Sequence, residues 1–328
     1  MKRKLAHSSV VFLILLAAMA GILQGCGNTA ENQQKDGEKL TGNISISGAF
    51  ALYPLTVKWA EEFQKIYPGV RIDISAGGAG KGMADALSGM IDLGMFSRGI
   101  SKAEADKGAW WIAVTKDAVL PTINAKNPHL KLIKEKGFSR ETFVQVFLTQ
   151  KIKTWGEALG EPGIKETIDV YTRSDACGAA QMWGEFLGKD QESLQGIGVF
   201  GDPGIASAVK GDVTALGFNN VIYAYDVNSR KKYDGLEVLP VDVNGNGKID
   251  PEENYYNTLD EIMTAIRDGK YPSPPARDLY FVSLGKPQKP AVVAFLKWIL
   301  SDGQKFVNEA GYVQLSTEKV AGELEKLK

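Results

Sequence analysis

Cysteine is nearly missing from this chain: 328 residues contain two, Cys26 and Cys177. A disulfide-stapled fold and a cysteine-rich metal centre are thereby excluded. Histidine is as scarce, at His7 and His129, which leaves few imidazole ligands or acid–base groups. Neither sign of charge dominates, and 38 basic residues against 39 acidic ones are too even for a nucleic-acid surface. The apolar run from Val10 to Leu23 is too short and too abruptly ended for a good membrane span.

That run is informative in another way. Lys2, Arg3 and Lys4 precede it, and Leu23-Gln24-Gly25-Cys26 closes it, the pattern of an export signal over residues 1–25. A cysteine directly after Leu-x-Gly resembles a bacterial lipobox, which makes Cys26 the expected lipidated N-terminus and the membrane anchor of an extracytoplasmic protein. Residues 26–40 are polar without apolar period and read as a tether. Without residues 1–25 the balance is 35 basic against 39 acidic, so a bound anion must be held by local donors and not by overall charge.

From Asn43 onward strand and helix patterns alternate. Ile44 to Ser47 predicts a strand, and Leu55, Trp59, Phe63 and Ile66 share one face of a helix from about Pro54 to Tyr67, stopped by Pro68-Gly69. Strands follow at Val70 to Ser75 and Ile91 to Met95, with a helix opening at Gly82 between them. Two long apolar strands stand out, Asp117 to Ala125 and Asp278 to Leu284. A second α/β block lies between them, and helices at Lys289 to Leu300 and Gln304 to Ala310 close the chain. The expectation is an α/β fold in which one lobe interrupts another. Residues 41–118 and 278–328 form lobe I, residues 119–277 form lobe II, and two strands cross between them.

Three loops join strand-like runs to helix-like runs: Ser47 to Pro54, Ser75 to Met83 and Thr172 to Ala180. Such turns aim backbone N–H groups and a helix N-terminus at one place, where anions bind. A phosphate-binding P-loop is rejected, because Ser75 and Gly82 stand where it needs glycine and a hydroxyl; a G-x-G-x-x-G reading fails at Met83.

The segments ALYPLTVKWAEEFQKIYPGV, IDLGMFSRGIS, KIKTWGEALG, TRSDACGAA, VTALGFNNVIYA and DGKYPSPPARDLYFVSLGKP occur in this order between Ile44 and Leu315. Together they resemble the phosphate-binding, PstS-like class of ABC-transporter substrate-binding proteins. The resemblance implies the two-lobed type II periplasmic binding protein fold, closing by a hinge on its ligand. It also implies a small oxyanion as ligand (phosphate first), an ABC permease as partner, and a monomer with no nucleic acid.

Carried over residue by residue, the resemblance places ligand contacts at Ala49, Phe50 and Ala51, at Gly78, Ala79 and Gly80, at Ser97 and Arg98, and at Arg173, Asp175, Cys177, Gly178 and Ala179. Most hydroxyls of the family pattern are missing. Alanines stand at 49, 51, 79 and 179, Phe50 and Cys177 replace polar residues, and Ser97 replaces an acidic acceptor. Each lost hydrogen bond to a charged group costs about 1.5–3 kcal/mol. Arg173 is kept, with Asp175 to orient it. A carboxylate or phosphonate is therefore an alternative guest, and a sensor that delivers no solute is an alternative role.

A second motif is DVNGNGKIDPEE, Asp242 to Glu253. It matches the twelve-residue calcium loop, with oxygens from Asp242, Asn244, Asn246, the Lys248 carbonyl, Asp250 and Glu253, and Gly247 at the sharp turn. Calcium in a structural role is the expected cofactor. An enzyme reading rests on Cys177 as a nucleophile at a helix N-terminus, but nothing places His129 beside it. A solute-binding protein, not an enzyme, is the expectation.

Overall fold

Strand β1 (Gly42–Gly48) buries its second half, and α1 (Tyr53–Ile66) follows with a proline at its start and Leu55, Trp59 and Phe63 turned inward. Next come β2 (Val70–Ala76), α2 (Ala79–Leu87), β3 (Leu93–Phe96) and α3 (Lys102–Asp106). The computed structural model describes residues 40–328; the export segment, Cys26 and almost all of the expected tether lie outside them. β1 runs parallel to both β2 and β3. Helix α2 starts at Ala79, three residues before the sequence-based expectation. Gly82 lies inside it because a Cβ there would come within 2.8 Å of Gly48 Cα. Close packing on β1 outweighs glycine's poor helix propensity.

Strand β4 (Ala109–Asn124) is 16 residues long and begins well ahead of the expected start at Asp117, taking in Trp110-Trp111. Lys116-Asp117 reads as a polar boundary in the sequence, yet Asp117 is buried against Arg277 and the strand runs straight through. The second lobe contributes α4 (Leu130–Lys136), β5 (Phe138–Ser139), α5 (Arg140–Phe147), α6 (Trp155–Leu159), β6 (Asp169–Arg173), α7 (Gly178–Leu187), β7 (Ile197–Val199), α8 (Gly201–Gly211), β8 (Ala215–Asn220), α9 (Val221–Ala224), β9 (Leu236–Val238), β10 (Val241–Asp242) and α10 (Leu259–Arg267). The mostly apolar run from Leu236 to Val241 is split between β9 and β10 at Leu239-Pro240, where proline offers no N–H to the ladder. β11 (Ala276–Leu284), α11 (Pro290–Ile299) and α12 (Thr317–Glu325) finish the chain. The helix expected at Gln304 to Ala310 is a 3₁₀ turn at Asp302–Phe306 followed by turns, with the Gly303 carbonyl accepting from Trp59 Nε1 at 2.8 Å.

The main sheet has nine strands, in the order β2-β1-β3-β11-β4-β8-β6-β7 with β9 also on β4. β4 is the splice: residues 109–118 pair with β11, and residues 119–124 pair with β8 and β9. Two buried cores lie on either side of the splice. One gathers Ile46, Leu55, Trp59, Phe63, Phe281 and Phe295; the other gathers Phe143, Phe147, Trp155, Trp183, Phe218 and Tyr271. In the second core Trp183 stacks on Phe218 with ring centroids 5.8 Å apart. A mixed α/β fold of two lobes joined by β4 and β11 results.

Candidate functional site: a crevice at the strand ends

β1, β2 and β6 each end in a loop that opens a helix, and the three loops meet. Residues Ser47 and Ser75 are register partners, so the first two loops leave the sheet side by side. The Gly80 N–H donates across the crevice to the Ala176 carbonyl at 3.1 Å. At Gly178 a Cβ would fall 2.2 Å from both the carbonyl oxygen and the hydroxyl oxygen of Ser97. Only glycine permits that approach. Gly78 lies beside the Asp175 carboxylate, and Tyr223 Oη donates to the Phe50 carbonyl at 3.1 Å. Phe50, Gly78, Gly80, Ser97, Arg173, Asp175, Ala176 and Gly178 are thereby brought together.

The donors are fewer than the loop pattern suggests. Ala49 N–H is spent on the Met95 carbonyl at 2.9 Å, and Ser47 Oγ donates to Asp85 at 2.6 Å. Lys81, in the first turn of α2, pairs with that same Asp85, whose pKa is held below the usual carboxylate range by Lys81 and then Ser47. Among the described residues, the N–H groups of Phe50, Ala51, Gly178 and Ala179 show no protein acceptor. Ala49, Ala51, Ala79 and Ala179 are buried and bring no polar side-chain atom.

Arg173 is the centre of the crevice and its side chain is fully buried. Nε and Nη2 donate to Asp175 at 2.8 and 2.6 Å, and Nη1 donates to Asp202 at 2.7 Å. All three guanidinium nitrogens thus face carboxylates. Burial pulls the arginine's pKa down, but Asp202, with Cys177 and Asp175 behind it, holds it above its ordinary value. The Phe50 ring lies over the guanidinium, 5.8 Å from its centroid to Cζ, and meets Phe200 edge-on at 5.9 Å.

Asp202 reaches further. Its second oxygen accepts from the Asn220 backbone N–H at 3.0 Å and from Nδ2 at 2.8 Å. Asn220 Oδ1 in turn takes a hydrogen bond from Arg277, which also donates to Asp117 at 2.9 Å and to the Gly178 carbonyl at 2.9 Å. A buried chain of polar groups therefore runs from the lobe-joining strands to the loop after β6. Asp202, Asn220 and Arg277 were not singled out in the sequence. Phe200-Gly201-Asp202 does carry a signal: it is a fourth strand-to-helix turn, between β7 and α8.

Arg98 turns from the centre. It donates to Glu104 at 3.0 and 2.7 Å, lies over Phe96, and borders a cavity of about 490 Å³ shared with Gly80, Cys177, Gln181 and Gln191. Cys177 caps α7, its Sγ accepting from the Ala180 N–H at 3.3 Å, and burial pushes its thiol up to about 12. His129 sits 3.1 Å from Glu166 and not beside Cys177. Trp110 and Trp111 pair with Ser283 and Val282 on β11 and pack partly buried against the first core.

The 242–253 loop folds around its own carboxylates. Asp242 accepts from the N–H groups of Gly245, Asn246 and Gly247 at 2.8, 3.2 and 2.8 Å. Glu253 accepts from those of Val243, Asn244 and Asp250. Asn244 and Asn246 both reach Asp250, and Lys248 Nζ, 2.8 Å from it, is foremost in holding its pKa down at about 2. Among the described residues no three His, Cys, Asp or Glu side chains converge as a metal cluster. The donor set nonetheless fits a hard cation: every candidate ligand offers oxygen, and the ring of backbone N–H groups already gives the loop its turn. Ile249 anchors it, its N–H donating to the Glu135 carbonyl at 2.8 Å and its side chain packed against Gly137.

A family model for the PBP superfamily domain matches residues 30–303. The chain belongs to this superfamily. Among curated proteins it is similar to the phosphate-binding protein PstS of Methanocaldococcus jannaschii, 25% identical over 89% of this chain and 88% of that one. PstS of Xylella fastidiosa is also 25% identical, over 93% of each chain. A PstS of Bacillus subtilis is 28% identical over 58% of this chain, and the match spans 63% of that protein. Among solved structures, a Clostridium perfringens phosphate ABC transporter substrate-binding protein with bound phosphate superposes with a TM-score of 0.68 at 23% identity, covering 84% of this chain and all of that one. An ABC-type phosphate transport receptor from Vibrio cholerae gives 0.60 at 17% identity, over 83% and 100%. The shared architecture is the type II binding-protein fold.

Proposed function

We propose that this chain is the extracytoplasmic solute-binding protein of an ABC importer, holding phosphate or a related small oxyanion between its lobes and presenting it to a membrane permease. The observation that carries this reading is the meeting of loops from both lobes at the ends of β1, β2 and β6, around Arg173 and the free N–H groups of Phe50, Ala51, Gly178 and Ala179. A guest that touches both lobes stabilises the closed state by its differential affinity for it. The phosphate-binding relatives and the full-length similarity support the same reading. Lobe boundaries near 118 and 277, export, lipid attachment at Cys26 and a monomeric receptor belong to the proposal. Transport rather than catalysis belongs to the proposal too, supported by the burial of Cys177 and the pairing of His129 with Glu166. Thermal-shift titration with phosphate, sulfate and small carboxylates is the test: at least one should raise the melting temperature saturably, and no response to any would contradict the reading.

The calcium loop is a separate proposal. Asp242, Asn244, Asn246, Asp250, Glu253 and the Lys248 carbonyl would hold one Ca²⁺ that pins β10 to α4. Millimolar calcium should raise the melting temperature, and Asp242→Ala with Glu253→Gln should cancel the rise. Equal melting with calcium and with chelator would contradict it.

A further inference from the structure

Phe50 comes from the loop after β1, but its ring is seated in the other lobe. It lies over the Arg173 guanidinium, meets Phe200 edge-on, and packs on Gly201, where a Cβ would stand 3.2 Å from the Phe50 Cζ. Gly201 has φ +72°, so the site both needs a residue without a side chain and leaves room for the ring. Tyr223 holds the Phe50 carbonyl from below, and Tyr312 holds that of Ala51 at 2.8 Å. The ring therefore covers the arginine at the centre of the crevice.

That charge is already over-matched. Arg173 has two carboxylate partners, Asp175 and Asp202, so the cluster is net negative by one, and a bare inorganic anion gains little from it. The side chains that cover it are aromatic: Phe50 lies over the guanidinium and Phe200, 60% exposed, meets Phe50 edge-on. What stays available to an oxyanion is main-chain N–H; what stays available to the rest of a ligand is the aromatic surface of Phe50 and Phe200.

We propose that Phe50 determines the specificity of this crevice: by covering Arg173 it weakens the hold on a small inorganic oxyanion and favours an oxyanion carried on an apolar body that packs against Phe50 and Phe200. This rests on the oxyanion-receptor reading and narrows it to one ligand class. Aromatic pairs of the kind Phe50 makes with Phe200 are also formed with a ligand ring, so the surface that shields Arg173 from phosphate can hold an aryl group.

The test is isothermal titration of the full chain with inorganic phosphate and with phenylphosphonate, at a pH where both are mainly monoanions. The wild type should bind phenylphosphonate at least tenfold more tightly than phosphate. In Phe50→Ala, phosphate affinity should rise at least tenfold and the preference should shrink or reverse. If Phe50→Ala does not fold, Phe200→Ala, which frees the ring from the second lobe, should move the two affinities in the same directions. Phosphate binding that is equally tight in wild type and variant would overturn the role of Phe50 and leave the oxyanion reading standing. No binding of either compound to any of the folded proteins would overturn both.

Discussion

Asp202 grips Arg173 at 2.7 Å with both side chains essentially out of solvent, and its other oxygen is held by Asn220. Together with Asp175 it leaves the crevice arginine outnumbered two to one by carboxylates. An arginine so placed positions loops as much as it attracts ligand. Removing one of the two acids should therefore trade stability for anion affinity. Asp202→Asn keeps the shape but takes away a charge and one acceptor, since its amide nitrogen must face either Arg173 Nη1 or the two Asn220 donors. Its loss as a charged acceptor should cost about 1.5–3 kcal/mol of stability. The relieved repulsion should tighten oxyanion binding by about tenfold, an energy of roughly 1.4 kcal/mol, well within the reach of one nearby charge at an effective dielectric of about 20. Chemical denaturation and titration calorimetry on the same variant measure the two effects; weaker anion binding would contradict the charge argument.

The Asp117–Arg277 pair joins the two lobe-crossing strands and predicts a pH effect. Burial pushes Asp117 up to about 6, against the opposing pull of Arg277. The folded state therefore holds a proton more strongly than the unfolded chain. This group's contribution to stability must fall as pH rises from about 4 to about 6 and stay level above. Asp117→Asn removes the titrating group, so the wild-type slope across that window should flatten in the variant. Arg277→Met leaves the carboxylate buried without its partner, a change worth about 3–5 kcal/mol when the charge is present. Its destabilisation should be greater at pH 8 than at pH 5, and equal losses at both would contradict the assignment.

Cys177 should behave as a buried core residue. With its thiol pushed up to about 12 by burial and 6% exposed, it should react negligibly with an aromatic disulfide reagent at pH 8 until the protein is unfolded. Rapid labelling of the native chain would contradict this. Cys177→Ala should leave oxyanion affinity within about twofold, because the thiol is neutral and its Sγ serves as acceptor for the Ala180 N–H.

Trp183 carries much of the second core. It is fully buried, stacked on Phe218 and met edge-on by Phe143 and Phe147. Trp183→Ala should cost about 3–5 kcal/mol. A loss under about 1 kcal/mol in urea denaturation would show that the core collapses into the space.

The alternation of strands and helices was legible in the sequence because apolar spacing and glycine or proline stops carry it, as at Leu55, Trp59 and Phe63 before Pro68-Gly69. The full length of β4 was not, because a buried ion pair makes Lys116-Asp117 look like a surface boundary until Arg277 supplies the partner from 160 residues away. The site divides in the same way. Loops at Phe50, Gly78 and Arg173 announce themselves by composition, whereas Asp202 and Asn220 acquire a role only through contacts made across the sheet. Helix α2 shows the reverse case: Gly80 reads as loop yet is helical, and a Cβ there would stand 3.0 Å from that of Ala176 in the facing loop.

Closure of the two lobes on an oxyanion can be tested at Gly178, where a single methyl group would collide with Ser97 of the opposite lobe. Oxyanion titration of the wild type and of Gly178→Ala, monitored by calorimetry with melting curves to show that both are folded, is the most direct measurement. The account predicts saturable binding to the wild type and a loss of at least tenfold in Gly178→Ala, about 1.4 kcal/mol. Equal affinity in the two proteins, or no oxyanion bound by the wild type, would contradict it.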